Sequence, residues 1–135
     1  MKKVRVAVAV ITDPAGNILL TQRNSPETPS THMRWQLPGG GINPHEKISD
    51  ACIREAREET GFVVRLEQQV PIKIRQVVGD TLFLLHGFKA IALSGTINVS
   101  LDEETADAKW YSREEIKGLE CLPNTGEMID KCLKN

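Results

Sequence analysis

Three glutamates lie at helical spacing near the middle of the chain: Glu55, Glu58 and Glu59. The segment from Glu46 to Thr60 has the pattern of one helix, and Gly61 follows it as the residue type that most often ends helices. On a wheel of about 100° per residue, apolar residues mark an inward arc: Ile48, Ala51 and Cys52. The glutamates fall on that arc, at about 180°, 120° and 220° from Glu46. Carboxylates therefore occupy the side on which a buried face is expected.

These carboxylates destabilise an isolated helix. They are neighbours at i,i+3 and i,i+4, where like charges repel by about 0.2–0.5 kcal/mol per pair. They also lie in the last turns, where the helix dipole disfavours an anion by a further ~0.3–1 kcal/mol. One interpretation is a solvated acidic surface, with Arg54 and Glu58 as an ion pair. The other is a site for a hard divalent cation such as Mg²⁺, which binds carboxylate oxygens together with substrate phosphates and would neutralise the repulsion.

A run of glycines precedes the acidic helix, in the sequence Pro38-Gly39-Gly40-Gly41. This run predicts a sharp turn from a strand into the helix. Because glycine allows positive φ and close approach, its backbone amides or carbonyls can point at a metal ion or a phosphate. An ordinary strand-to-helix turn also uses glycine, so the position just before the three glutamates is what favours a functional turn.

The stretch from Gly40 to Phe62 resembles the Nudix box, G-x5-E-x7-R-E-U-x-E-E-x-G-U, where U is an apolar residue. It matches all seven fixed positions over 23 residues: Gly40, Glu46, Arg54, Glu55, Glu58, Glu59 and Gly61. The apolar positions are occupied by Ala56 and Phe62, and the preceding Trp35 to Gly40 is similar to the family's lead-in. His45 stands where the family usually has glycine.

The resemblance implies an α+β protein with the Nudix fold, a mixed β-sheet sandwiched between α-helices, in a single domain over residues 1–135. It also implies Mg²⁺- or Mn²⁺-dependent hydrolysis of a nucleoside diphosphate linked to another group. The metal ligands would be Glu55, Glu58, Glu59 and the Gly40 carbonyl. Arg54 would hold the glutamates by salt bridges, Glu46 would be a structural or outer-shell acid, and Gly61 would be structural. The metal would lower the pKa of a bound water.

The general base that takes the proton from this water stays open between two positions. Glu55 is one candidate. In many family members the base lies in a loop outside the box, and Glu103 and Glu104 occupy such a loop here. We prefer Glu104, also as a further metal ligand; the alternative is that both glutamates belong to an exposed turn.

The substrate prediction rests on fewer residues. The segment from Arg23 to Gly40, with His32-Met33, looks like the MutT-type nucleoside triphosphate pyrophosphohydrolases. Arg23 would clamp phosphate with its planar guanidinium, unless it is a surface residue at a strand end. Asn124 lies where that subfamily reads a purine edge, which an amide suits; a turn or helix cap explains it equally well. Gly39 would bind substrate through its backbone.

The preferred function is hydrolysis of a (deoxy)nucleoside triphosphate to monophosphate and pyrophosphate. The alternatives are a hydrolase of ADP-ribose, a nucleotide sugar or another capped diphosphate, a non-catalytic Nudix domain that binds nucleotides, and an acidic scaffold without ligand. A proline that would mark ADP-ribose is replaced by Val77 or Val78, and the single tyrosine, Tyr111, lies far from the position that would mark dinucleoside polyphosphates.

Composition excludes several other classes. The chain has 135 residues, 17 Lys+Arg against 18 Asp+Glu, and 4% aromatic residues, so neither an electrostatic grip on extended nucleic acid nor a stacking platform is expected. Three scattered cysteines indicate a reducing, cytoplasmic setting, and no apolar run approaches the ~18 residues of a membrane span. A homodimer is left open.

The remaining pattern predicts the elements that must position these residues. Strands dominate around the central helix, and turn residues separate them. The predicted strands are Val4–Ile11 and Ile18–Gln22 (a hairpin), Trp35–Leu37, Phe62–Leu66, Ile72–Val78, Thr81–Leu93 and Ala108–Tyr111; a capping box at Ser112–Glu115 opens a short helix, and a terminal helix spans Thr125–Leu133. On this pattern Cys52 belongs to the core, and His86 faces either a substrate cleft or, as we prefer, outward.

Overall fold

Eight strands form one mixed sheet in the computed structural model, which describes residues 1–100 and 102–134. The strands are β1 (Lys2–Thr12), β2 (Ile18–Arg23), β3 (Trp35–Gln36), β4 (Gly39–Gly41), β5 (Phe62–Leu66), β6 (Ile72–Val78), β7 (Thr81–Gly95) and β8 (Thr105–Tyr111). The helices are α1 (Ile48–Thr60), α2 (Arg113–Ile116) and α3 (Thr125–Cys132). Most predicted elements are confirmed to within two residues at each end.

Strand β1 is the centre of this sheet. It runs parallel to β7 along its whole length, from Lys2 opposite Thr81 to Thr12 opposite Ile91. On its other side it pairs antiparallel with β4 and, at one position, with β2. Strands β5 and β6 both pair antiparallel with β7, and β3 and β8 both pair with β2. In the predicted β1–β2 hairpin, the two strands therefore pair with each other only next to the turn and pair with other strands along the rest of their length.

Two apolar cores lie on the two faces of the sheet, because successive strand residues point to opposite sides. On one face, alternate residues of β1 such as Ala7 and Ala9 pack against the α1 residues Ala51, Cys52 and Ala56. On the other face, Val8 and Val10 pack with Met128 and Ile129 of α3. The predicted mixed sheet between helices and the predicted burial of Cys52 are both confirmed. No helix among the described residues has the length and apolar character needed to cross a membrane.

The predicted glycine turn is wrong in one respect, since Gly39 to Gly41 form strand β4. These residues pair with Val8, Ala7 and Val6 of β1. A Cβ atom on Gly39 would lie 2.3 Å from the Ala7 carbonyl oxygen, so only glycine allows this approach. The pairing brings the glycine backbone to the edge of the sheet beside α1.

Helix α1 begins at Ile48 rather than at the predicted Glu46. The preceding loop turns through His45, whose φ of +67° lies in the left-handed region, and Glu46 folds back toward the helix side. At the other end the prediction is confirmed: Gly61 has φ +87° and its N–H donates to the Arg57 carbonyl at 2.9 Å. A Cβ atom on Gly61 would meet the Thr96 carbonyl oxygen at 2.5 Å.

The prediction that His86 faces outward is wrong. His86 is only 6% exposed. The register places it beside Ala7 of β1 and Lys73 of β6, on the face that α1 covers in part. Alternation along a single strand cannot say which face is buried, and both faces of β7 pack against an apolar core.

Candidate active site

The guanidinium of Arg54 is the centre of the charged cluster on α1. Its Nε and Nη2 atoms donate to the two carboxylate oxygens of Glu46, each at 2.9 Å. Its Nη2 also donates to the Gly41 carbonyl at 3.0 Å, and its Nη1 lies 2.9 Å from Glu55 Oε1 and 3.3 Å from Glu58 Oε2. One arginine thus ties three carboxylates to β4. Hydrogen bonding to Arg54 lowers the pKa of Glu46 to about 2.

Glu55 lies against the backbone of β4. Its side chain is 15% exposed, and a Cβ atom on Gly40 would lie 2.6 Å from its carboxylate carbon. Burial raises the pKa of Glu55, with further contributions from the charges of Glu58 and Asp102, although Arg54 opposes the shift. The glycine at position 40 therefore makes room for a carboxylate that is poorly solvated.

Glu59 is the most buried of the three glutamates, at 5% exposure. The Gly39 N–H donates to its Oε2 at 2.6 Å. Burial raises the pKa of Glu59 well above its usual value; the Gly39 bond and the charge of Arg23 oppose this, while Glu55 adds to it. A cation beside Glu55 and Glu59 would relieve both the desolvation and the repulsion.

The donor chemistry fits a hard divalent cation, although the side chains do not converge on one as they stand. Within residues 1–100 and 102–134, no three His, Cys, Asp or Glu side chains are placed to hold a metal ion together. The reason is visible in the contacts: Glu55 and Glu58 bind Arg54, and Glu59 binds the Gly39 amide. Glu58 is the loosest, with a side chain 49% exposed, because it lies at the margin of the buried arc. Only one oxygen of Glu55 and one oxygen of Glu59 take part in these contacts, so the other oxygen of each carboxylate is left for a cation.

A cavity of ≈ 680 Å³ opens on the other side of β4. This volume lies within the range of about 300–1,000 Å³ that is usual for small-molecule sites. Four residues predicted for substrate or metal line it together: Arg23, Gly39, Gly40 and Asn124. They are up to 101 positions apart in the sequence, and only the fold brings them to one place.

Two of these residues carry unused hydrogen-bonding capacity. Among the described side chains, the Nε of Arg23 is the buried polar atom without a partner. Asn124 directly precedes α3, in the N-cap position and with φ +71°, but its side chain makes no capping hydrogen bond. The capping interpretation of Asn124 is thus not supported by any contact of its amide, and both groups border the cavity.

Sequence reasoning missed several polar residues of this cavity. They come from the loop after β2, from β3 and from β6: Ser30, Thr31, Arg34, Gln36 and Gln76. The apolar floor includes Phe83, Leu85 and Met128. The alternation in β6, where Ile74 is buried and Gln76 follows on the same face, is the one signal that could have placed Gln76 there.

The acidic loop before β8 carries three consecutive acidic residues: Asp102, Glu103 and Glu104. Glu103 and Glu104 are exposed, and the Glu104 N–H donates to Asp102 Oδ1 at 2.9 Å. Asp102 is the loop acid whose charge raises the pKa of both Glu55 and Glu59. Asp102 is therefore a loop carboxylate that the sequence interpretation overlooked, while the role of Glu104 stays a prediction.

Comparison with known proteins decides the family, since the model of the NUDIX domain matches residues 1–132. The chain belongs to the Nudix family. It is 32% identical over 115 residues to a protein of Escherichia coli (strain K12) named CTP pyrophosphohydrolase, covering 85% of this chain and 80% of that one. Among solved structures, a NUDIX hydrolase from Nitrosomonas europaea has a TM-score of 0.81 at 25% identity, covering 96% of this chain and 87% of that one. The MutT protein of Methanosarcina mazei Go1 has a TM-score of 0.77 at 26% identity, covering 99% and 97%.

These findings confirm the predicted Nudix fold and the prediction of a Nudix hydrolase. Nudix hydrolases generally need a divalent metal ion.

Proposed function

We propose that this Nudix hydrolase is a metal-dependent pyrophosphohydrolase that converts a (deoxy)nucleoside triphosphate to its monophosphate and pyrophosphate. The observation that carries the proposal is that β4 borders both the cavity and the cluster of carboxylates on α1. Gly39 and Gly40 line the ≈ 680 Å³ cavity on one side and contact Glu59 and Glu55 on the other. A nucleoside in the cavity would therefore have its phosphates at the carboxylates.

The ligands of the metal in this proposal are Glu55, Glu58, Glu59 and the Gly40 carbonyl, with Glu104 as a further one. Mg²⁺ suits this all-oxygen set, and Mn²⁺ is the alternative. When bound, such an ion neutralises phosphate charge and lowers the pKa of water. Arg54 positions Glu55 and Glu58 through the contacts at 2.9 and 3.3 Å and is itself held by Glu46.

The chain's own groups would carry out binding and proton transfer. Arg23 would clamp a phosphate through its unpartnered Nε, and Asn124 would read a base edge with an amide that donates and accepts. A carboxylate would accept the proton of the attacking water: Glu104 is the preferred base and Glu55 the alternative. Asp102 joins these candidates because its charge reaches Glu55 and Glu59.

The name of the Escherichia coli relative, CTP pyrophosphohydrolase, favours a nucleoside triphosphate over the other diphosphates as substrate. Two alternatives remain, and a screen of substrates distinguishes them from this function. One is hydrolysis of ADP-ribose, a nucleotide sugar or another capped diphosphate, and the other is nucleotide binding without catalysis. We place the protein in the cytoplasm, without extended nucleic acid or membrane as a partner, and consider a homodimer compatible with this function.

The test is a pyrophosphate- and phosphate-release screen with Mg²⁺ over dNTPs, NTPs, oxidised dNTPs, ADP-ribose, nucleotide sugars and dinucleoside polyphosphates. We expect the highest kcat/KM for a nucleoside triphosphate and a loss of about 100-fold or more in kcat for Glu58→Gln. The matched control is Glu114→Gln, which removes the same charge from an 85% exposed side chain on α2. Unchanged turnover in Glu58→Gln would show that the metal ligands are assigned wrongly.

A further inference from the structure

The last residue of β2 and the residue after it contact two different loops. Arg23 bonds to the loop that leads into β3: its N–H donates to the Arg34 carbonyl at 2.9 Å, and its carbonyl accepts from the Met33 N–H at 2.8 Å. The next residue, Asn24, bonds to the acidic loop before β8 instead. The end of β2 therefore joins a loop that lines the ≈ 680 Å³ cavity to the loop that carries Glu104.

Asn24 donates two hydrogen bonds to the acidic loop. Its backbone N–H lies 2.7 Å from the Glu104 carbonyl oxygen, and its side-chain Nδ2 lies 3.1 Å from the Glu103 carbonyl oxygen. Every residue except proline has a backbone N–H, whereas the second bond needs a donor on the side chain, which an amide supplies. Asparagine at this position therefore attaches the loop at a second point.

A β-bulge shifts the pairing of β2 with β8 just before Asn24. The register changes between Gln22 and Arg23, because β8 contains one residue more than β2 at this point. Such a bulge bends the strand and is over-represented next to active sites. Beyond it the antiparallel pairing continues from Arg23 to Asn24, which meets Glu104 one position outside β8. The contact is thus an extension of the sheet.

Asp102 holds the other polar group of the Glu104 backbone. The Glu104 N–H donates to Asp102 Oδ1 at 2.9 Å, and the Thr105 hydroxyl donates to Asp102 Oδ2 at 2.9 Å. Thr105 is buried, which fixes that end of the loop. The N–H and the carbonyl of Glu104 therefore both have partners, whereas its exposed carboxylate takes part in neither bond.

The acidic loop and the end of β2 both reach the buried carboxylate of Glu59. Burial is the main cause of the raised pKa of Glu59; the charge of Asp102 adds to the shift and the charge of Arg23 opposes it. Burial is also the main cause of the raised pKa of Glu55, to which Asp102 contributes as well. Both segments therefore lie near the proposed metal ligands.

We propose that Asn24 is a positioning residue, which fixes the backbone of Glu104 relative to Arg23 and so sets the preferred base against the phosphate clamp. This inference rests on the proposed function, in which Glu104 accepts the proton of the attacking water. Reaction rates depend steeply on such orientation. Removal of the Asn24 side chain leaves its backbone bond to Glu104 in place, so the loop becomes looser without being released.

The first test measures the loop itself, in the metal-free protein. Amide hydrogen exchange followed by NMR reports on the opening of each N–H. For Asn24→Ala we expect exchange at Glu104 and Thr105 to be about 2- to 10-fold faster, the population change that one lost hydrogen bond produces. Exchange at Arg23 should stay unchanged, because its N–H donates to the loop on the other side. Unchanged exchange at Glu104, or equal acceleration at Arg23, would overturn the proposal.

The second test compares kcat and KM of the Mg²⁺-loaded protein on the best nucleoside triphosphate. Asn24→Ala should lower kcat about 2- to 10-fold at nearly unchanged KM, because the link positions the base and does not bind substrate. Asn24→Asp should lower kcat further, since a carboxylate then replaces the donor opposite the Glu103 carbonyl. A higher KM at unchanged kcat would contradict a positioning role.

The matched control for this test is Gln68→Ala. It removes a comparable exposed bond, from the Gln68 Nε2 to the Val70 carbonyl at 3.0 Å, in the connection between β5 and β6. We expect kcat to stay within about 2-fold of the wild type, the range of a surface substitution. An equal loss in Gln68→Ala and Asn24→Ala would overturn the proposal. Thermal unfolding followed by circular dichroism verifies that each variant is folded.

A double-variant cycle tests whether Asn24 acts through Glu104. If it does, Asn24→Ala should cost almost nothing further in kcat once Glu104→Gln has removed the carboxylate, because the two effects are then coupled. Additive losses, or an unchanged kcat in Asn24→Ala alone, would refute the positioning role and leave the proposed function intact. Exchange at Glu104 that depends on Asn24 in a protein that hydrolyses no nucleoside triphosphate would refute the proposed function and leave the attachment of the loop.

Discussion

Substitution of Gly40 by alanine tests how β4 and α1 fit together. The added Cβ atom would lie 2.6 Å from the carboxylate carbon of Glu55 and 2.7 Å from both of its oxygens. Ordinary van der Waals contact begins at 3.4 Å, so the carboxylate must move by at least about 0.8 Å. Alanine keeps the backbone carbonyl, so the substitution changes the position of Glu55 without deleting a possible metal ligand.

The structure separates the expected effect on activity from the effect on stability. A displacement of about 1 Å in a catalytic constellation can cost roughly 100-fold, and we expect a loss of that size in kcat/KM. The clash involves only the end of a side chain, so the free energy of unfolding should fall by no more than about 1 kcal/mol, the lower end of overpacking costs. For a domain of this size that corresponds to a decrease in Tm of roughly 4 °C.

The neighbouring Gly41 provides the matched control. A Cβ atom on Gly41 would have no heavy atom within 4 Å, although the residue lies in the same strand. Initial rates of pyrophosphate release on the best triphosphate, together with thermal unfolding, should therefore show a large kinetic loss for Gly40→Ala and almost none for Gly41→Ala. The reasoning is refuted if Gly40→Ala stays within about 3-fold of wild type, or if both variants lose activity equally.

Three other predictions concern the charged cluster and the end of α1. The pKa of Glu46 is lowered from 4.5 to about 2, so its charged form stabilises the folded protein above pH 4.5, and this contribution is lost as the pH falls toward 2. When the free energy of unfolding is measured over this pH range, the Glu46→Gln variant should lack that part of the decrease. Because burial raises the pKa of Glu59, its charged form destabilises the metal-free protein as the pH rises above 4.5. The Glu59→Gln variant should therefore have a higher Tm than the wild type in EDTA at pH 7.5, and it should be inactive. A lower Tm would contradict the burial argument. Gly61→Ala should lose about 2–4 kcal/mol in urea unfolding, because it combines a φ of +87° with a clash at 2.5 Å, whereas Gly16→Ala, with φ +86° and open space around it, should lose only about 1 kcal/mol.

The arrangement of the acidic helix could be inferred from the sequence because helical geometry is local. Spacing of three and four residues places Glu55, Glu58 and Glu59 on neighbouring positions of one helix whatever the rest of the chain does. The same holds for Gly61, whose left-handed conformation ends the helix as predicted. The helical wheel could not predict how exposed each carboxylate is. In the structure Glu59 is buried, whereas the side chain of Glu58 is half exposed.

The pairing partner of the glycines was not accessible from the sequence. The residues that β4 meets on β1 lie more than thirty positions earlier, and no local pattern of glycine encodes that contact. His86 was placed on the wrong face for a related reason, because alternation fixes which residues share a face but not which face is covered by α1. Asp102 was overlooked because its influence on Glu55 and Glu59 acts through space.

By itself, the sequence identified the family and the acidic helix and predicted a hard divalent cation for it, since these inferences depend on residue types at short, regular spacing. Only the tertiary structure decided that Arg23 and Asn124 border one cavity with the glycine strand, and that Lys3 and Arg5 stand with His45 and Lys47 at a second. The residues of each cavity come from distant parts of the chain. They lie close together because β1 is central in the sheet, where it pairs with β4 on one side and with β7 on the other.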